Sequence, residues 1–193
     1  GCRVSGTGPP EAGAILLLLE AVWYSEIEMS AEINGRIILP SPVGKLLLEE
    51  RGGALVRLSF ENQISGLLEQ RSTPFLEQAA QQLAEYFRGE RQEFSLALTY
   101  EGTEFQKKVW QALREIPYGQ TRSYGQVAQM AGSPKASRAV GMASHNNPIA
   151  IIIPCHRVIG ANGKLVGFGG GLPVKEKLLA LEADFRDSNR EIQ

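Results

Sequence analysis

The chain has 193 residues, 43% of them hydrophobic and 21% charged, with a net charge of -1, an ordinary globular composition able to bury one large core or two small ones. Its two Cys, one at the extreme N-terminus, exclude a disulfide framework, and with only two His they leave no ligand cluster, so neither a metal nor a cofactor is expected. The charge is uneven: residues 1–100 carry 8 Lys+Arg against 13 Asp+Glu (-5), residues 101–172 carry 8 against 3 (+5), and residues 173–193 carry 4 against 5 (-1). That modest basic excess would suit phosphate contacts with a shallow salt dependence.

Residues 1–33 read as an N-terminal extension. Its first ten residues resemble a flexible arm, and the missing Met suggests processing or an expression scar. Ala14 to Tyr24 is apolar but too short to span a bilayer, is interrupted by Glu20 and lacks a basic lead, so no membrane association is expected. It reads as a core-docking helix or strand.

Residues 34–100 read as a small α/β support domain. Strands are predicted at Ile37–Leu39, Lys45–Glu49 and Ala54–Phe60, punctuated by Pro-Ser-Pro-Val-Gly and Arg-Gly-Gly. Ser72-Thr73-Pro74 should open a helix with Leu76, Ala79, Ala80, Leu83, Tyr86 and Phe87 on its apolar face and Gly89 closing it. Phe94 to Tyr100 alternates like one more strand.

Residues 101–186 read as a second domain, with 187–193 a tail. Thr103 and Gln106 form a capping box for a helix whose stripe is Phe105, Val109, Leu113 and Ile116. Ser123 caps a short helix running to Ala131, and a third is predicted over about Pro134 to His145, the spacing of a helix-turn-helix. On that third helix Ala136, Ala139, Val140 and Ala143 should pack inward, while Lys135, Arg138, Met142 and His145 face elsewhere. Between the two faces runs a low-bulk stripe of Ser137, Gly141 and Ser144. Such a stripe serves tight helix packing, or, bordered by basic residues, close approach to DNA.

Ile151-Ile152-Ile153 has the look of a buried strand ended by Pro154, with Cys155 and His156 directly behind it. A Cys there can be an inert core residue or a nucleophile whose proton the imidazole accepts. After the Gly160-Ala161-Asn162-Gly163 turn and the Gly167–Gly171 loop, Pro173 should start a last helix with Val174, Leu178, Leu181 and Phe185 as its stripe. Glu182 borders that buried face, where a carboxylate is costly without a partner. His156 is the natural partner, which makes Cys155, His156 and Glu182 a nucleophile, a base and an orienter of the base.

Ile-Pro-Tyr-Gly-Gln-Thr-Arg-Ser-Tyr-Gly, Arg-Ala-Val-Gly, Asn-Pro, Pro-Cys-His-Arg-Val, Gly-Phe-Gly-Gly-Gly-Leu and Leu-Leu-Ala-Leu-Glu together resemble the O6-alkylguanine-DNA alkyltransferases. The resemblance is dense from Thr103 to Glu182, thinner from Ile37 to Tyr100 and absent before that. It implies a small antiparallel sheet with a helix, followed by a mostly helical, winged-helix-like domain. It also implies single-turnover repair, in which the alkyl group of O6-alkylguanine, and of O4-alkylthymine, passes to Cys155 after nucleotide flipping from double-stranded DNA gripped in the minor groove.

Carried over residue by residue, Arg138 would fill the vacated stack, and Tyr124 would crowd the phosphate and contact the leaving guanine. Ser123, Lys135, Ser137 and Gly141 would join the DNA surface, and Asn147 would brace the active-site turn. Val158, Phe168, Gly169 and Gly170 would border the alkylguanine pocket, with Gly167 to Gly170 as its lid. Phe168 and Gly169 stand where the family often has an aromatic hydroxyl and a Ser. The resemblance further implies a monomer in the cytoplasm, or in the nucleus of a eukaryote. A non-enzymatic lesion sensor of the same fold is opposed by Cys155 itself. A helix-turn-helix regulator is opposed by the base-blind stripe, and a Cys hydrolase would leave the lid and the helix-turn-helix without a purpose.

Overall fold

A computed structural model of the chain describes residues 32–188 other than Leu67, with the side chains of 185–188 excepted. The apolar segment expected at Ala14–Tyr24, Cys2, the side chain of the stripe position Phe185 and the tail from residue 189 lie outside what is described. Every element belongs to one compact unit beginning at Ile33.

Three strands, β1 (Gly35–Leu39), β2 (Leu46–Arg51) and β3 (Ala54–Phe60), form an antiparallel sheet in sequence order. Leu46, Leu47 and Leu48 are all buried, so β2 is covered on both faces. Helix α1 (Pro74–Phe87) packs on this sheet; the Thr73 hydroxyl caps it by accepting from Leu76 N at 3.2 Å, and Gly89 takes the left-handed φ of 75° that ends it.

The stretch Phe94–Tyr100 is not a strand. It meets β3 only where Leu98 bridges Leu55, through Leu55 N to Ala97 O (2.9 Å) and Thr99 N to Leu55 O (3.0 Å). The reason is competition for one strand edge. Further along β3, Leu58 bonds Pro148 O and receives Ala150 N, both at 3.0 Å, so the active-site segment takes the rest of that edge.

Four helices carry the second half: α2 (Glu104–Arg114), α3 (Tyr124–Met130), α4 (Ser137–His145) and α5 (Leu172–Ser188). Both capping boxes, Thr103 with Gln106 and Ser123 with Gln126, are formed. The parallel pair β4 (Arg122–Ser123) and β5 (Val158–Ile159) ties the entry of α3 to the exit of the Cys155 segment. Trp110 of α2 donates its indole N–H to Ala143 O of α4 at 2.9 Å, locking the helix-turn-helix onto the core.

Two expectations about α4 change. It starts at Ser137, since Ala136 N closes a turn onto Ser133 O and Ala136 offers no side-chain cap. Ala139 is exposed, because only Val140 and Ala143 reach the core and the seven-residue α3 is too short to cover more of the helix.

Ile151–Ile153 is not a strand either, although Ile151 and Ile153 are buried. Ile149 alone bridges β3, after which the backbone coils: Ile153 N returns to Ile149 O at 2.9 Å and Ile152 N to Ala150 O at 2.8 Å. Ile151 sits at φ 69°, the only non-Gly residue in the left-handed region among those described. A β-branched residue there costs about 1–2 kcal/mol, which the surrounding packing must hold.

Candidate active site

The coil is held by one side chain. Asn147 accepts from Ile149 N at 3.0 Å and donates its amide to Ile153 O at 2.7 Å and to Cys155 Sγ at 3.1 Å. The strained turn therefore aims the thiol, which is 7% exposed at the start of a 3-10 turn spanning Cys155–Arg157. Burial pushes the Cys155 thiol up from its ordinary value, against the opposing pull of the Asn147 amide and the Lys175 charge.

Behind the thiol lies a fully buried polar cluster centred on Glu182, which is 0% exposed. Its carboxylate oxygens meet His156 Nε2 at 2.7 Å, Arg157 Nε and Nη2 at 2.9 and 3.0 Å, the Tyr86 hydroxyl at 2.8 Å and Gly119 N at 3.0 Å. Arg157 also donates to Ile116 O at 2.6 Å. Burial alone would raise the Glu182 carboxyl, but the hydrogen bonds of His156 and Arg157 and the charge of Arg157 outweigh it and hold it at about 2.

His156 is pushed down from the usual imidazole range, first by burial, so it is neutral at pH 7. A carboxylate partner fixes the proton on Nε2 and leaves buried Nδ1 as a lone-pair acceptor with no side-chain or backbone partner among the described residues. The permanent counter-charge of Glu182 is therefore Arg157 rather than His156.

In front of the thiol opens a cleft of about 270 Å³, walled by Tyr124, Gly141, Ser144, His145, Cys155 and residues 166–169. Tyr124 donates to Val166 O at 3.2 Å, and Lys175, whose side chain is buried in α5, donates to the same oxygen at 3.0 Å. Gly167 at φ 38° and Gly171 at φ 88° bend the loop over the cleft.

Cys155, Tyr124, Gly141, Phe168 and Gly169 thus meet at one cleft, with His156, Glu182 and Asn147 directly behind or beside the thiol. Val158 is buried in β5, and Gly170 lies outside the lining of the cleft. Ser123 is occupied as the cap of α3. Lys135 and Arg138 are exposed and Ser137 half-buried, on the outer side of the helix-turn-helix.

Sequence reasoning missed Arg157, Tyr86 and Lys175. Arg157 sits inside Pro-Cys-His-Arg-Val, and a buried carboxylate four donors deep needs a permanent cation, which was the available signal. Tyr86 belonged to an apolar stripe, and nothing local marks its hydroxyl as reaching a residue 96 positions away.

Two family models match, "6-O-methylguanine DNA methyltransferase, ribonuclease-like domain" over residues 36–100 and "6-O-methylguanine DNA methyltransferase, DNA binding domain" over residues 104–184. The chain belongs to the 6-O-methylguanine DNA methyltransferase family. It is 51% identical over 154 residues to the methylated-DNA–protein-cysteine methyltransferase of Methanosarcina acetivorans, covering 75% of this chain and 96% of that protein. It is also 51% identical over 148 residues to the Mycolicibacterium paratuberculosis protein of the same name, covering 74% and 88%. Among solved structures, Mycobacterium tuberculosis OGT in complex with DNA superimposes with a TM-score of 0.72 at 49% identity, over 77% of this chain and 92% of that one. Among the described residues no His, Cys, Asp and Glu cluster could hold a metal ion, and no helix is long and apolar enough to cross a membrane.

Proposed function

We propose that this chain is a single-turnover DNA repair protein that takes the alkyl group from O6-alkylguanine, and from O4-alkylthymine, onto Cys155. The observation that carries this reading is the thiol of Cys155, held by Asn147 at 3.1 Å at the mouth of the cleft and backed by a neutral His156 oriented by Glu182. Sγ attacks the alkyl carbon as the bond from carbon to O6 breaks. The thiol proton passes to His156 Nδ1, through a water in the family's usual scheme; the guanine anion takes up a proton from solvent as it leaves, and His156 returns its own to solvent, so the protons balance. The product is a thioether with no leaving group, so the reaction stops after one turn.

The DNA-facing side is the helix-turn-helix, entered from the minor groove. Gly141 and Ser137 let α4 approach closely, Arg138 fills the stack, Tyr124 crowds the phosphate, and Lys135 adds a phosphate contact. Phe168 and Gly169 cover the flipped base, with Val158 behind it and Gly170 supporting the lid. The chain works as a monomer in a reducing, cytoplasmic setting, in domains of 34–100 and 101–186.

Incubation with excess O6-methylguanine duplex should add one methyl (~14 Da) per chain, located on Cys155, and Cys155→Ala should gain none. Turnover beyond one equivalent, or methyl on Cys2, would overturn the reading.

A further inference from the structure

The lid over Cys155 is fastened at both ends, and at one end the partners come from outside the cleft. Val166 O is held by Tyr124 and Lys175 at 3.2 and 3.0 Å. At the other end the partners come from the turn that follows β3 in the first lobe. Asn62 Nδ2 donates to Gly169 O at 2.8 Å, across 107 positions of sequence. Gln63, with its own Oε1 accepting from Phe60 N at 3.2 Å, lays its amide nitrogen so close that a Cβ at Gly169 would stand 3.0 Å from it.

Phe60, 3% exposed, packs its ring at 5.3 Å from that of Phe168 and fills the space where a Cβ at Gly170 would lie, 2.6–3.0 Å from its carbons. Neither Gly169 nor Gly170 has a left-handed φ. These two glycines answer to the pressure of Phe60 and Gln63, not to a turn. A glycine-rich loop loses more freedom on ordering than any other, so it needs such outside partners. Phe168 has no hydroxyl with which to anchor itself.

We propose that Asn62, Gln63 and Phe60 are positioning residues that latch the lid from the first lobe and hold the Phe168 ring over the cleft mouth. What the lid covers rests on the proposed function; the latch itself does not.

The test uses the full chain with Asn62→Asp, which sets a carboxylate against the Gly169 carbonyl, and with Gly170→Ala, which drives a methyl into the Phe60 ring. Asn62 is exposed, so its replacement leaves the core intact. Two rates are read: carbamidomethylation of Cys155 by iodoacetamide, followed by peptide mass, and single-turnover transfer from free O6-benzylguanine over a concentration series. In both variants iodoacetamide should react with Cys155 about three- to ten-fold faster, the scale of one lost hydrogen bond. In Asn62→Asp the half-saturating O6-benzylguanine concentration should rise by a similar factor, while the saturating rate stays within about two-fold. Wild-type iodoacetamide rates in both variants would overturn the latch, as would a loss confined to the saturating rate. Faster iodoacetamide reaction in a protein whose wild type takes no methyl from O6-methylguanine duplex would keep the latch and sink the alkyltransferase reading.

Discussion

Glu182→Gln is the perturbation whose size the structure fixes best. The amide keeps the shape of the carboxylate but loses its charge, and its –NH2 end would face donors rather than acceptors. Arg157, 7% exposed and bonded to both carboxylate oxygens, would be left as a buried cation without a counter-ion. Breaking such a pair from one side costs about 3–5 kcal/mol.

The carboxyl itself gives an independent figure. Its fall from the usual 4.5 to about 2 corresponds to about 3 kcal/mol of folding free energy. A depressed folded-state value means that this stabilisation is complete above about pH 4.5 and drains away as the pH falls toward 2. Unfolding free energies of wild type and Glu182→Gln from urea titration should therefore differ by about 3–5 kcal/mol at pH 7, or roughly 10 °C in a thermal midpoint, and the gap should narrow by about 2 kcal/mol on acidification to pH 3. Below its midpoint the variant should transfer methyl about two orders of magnitude more slowly, because nothing holds the imidazole in one tautomer. A stability gap under about 1 kcal/mol at pH 7, or one that persists unchanged at pH 3, would refute the account of the buried cluster.

His156→Ala should slow transfer by about two orders of magnitude or more while lesion binding, read by fluorescence anisotropy, is largely kept; loss of binding in step with rate would count against a proton-transfer role. Since burial lowers the His156 value, single-turnover rates should hold as the pH drops through the usual imidazole range and fall only below it; a midpoint at or above 6.5 would contradict this. Arg138→Ala should be slow on O6-methylguanine in duplex DNA yet nearly normal on free O6-benzylguanine, and an unchanged ratio of the two rates would make Arg138 an ordinary surface charge. Lys135→Ala should weaken DNA binding mainly at low salt, and equal loss at all salt concentrations would argue against a phosphate contact.

The sequence made legible whatever is local. Thr73, Thr103 and Ser123 cap the helices they precede, because a cap is decided within four residues. The pairing of His156 with Glu182 was legible from the cost of a carboxylate on an apolar stripe. What failed was decided at a distance. Phe94–Tyr100 and Ile151–Ile153 both look like strands, but the first loses most of the β3 edge to Pro148–Ala150 and the second coils back onto Ile149 and Ala150. Tyr86 looked like packing because its hydroxyl finds Glu182 across the core. Gly169 looked like a lost serine, and only the fold brings Gln63 against it.

A protein that can react once must avoid spending its thiol on the wrong electrophile. Lowering the thiol's value to keep a standing thiolate would expose it to oxidants and to every small alkylating agent. The structure does the opposite. Burial raises Cys155 and lowers His156, so both groups favour their neutral forms at rest. Charge on sulfur then develops only when an alkyl carbon is in place to take it up, with the Asn147 amide at 3.1 Å and the nearby Lys175 charge already positioned to favour it. Glu182 meanwhile remains a carboxylate whatever His156 does, because Arg157 neutralises it permanently. The base can thus gain a proton in the proposed reaction without the buried cluster having to rearrange, and that is what preorganised electrostatics requires of a site used only once.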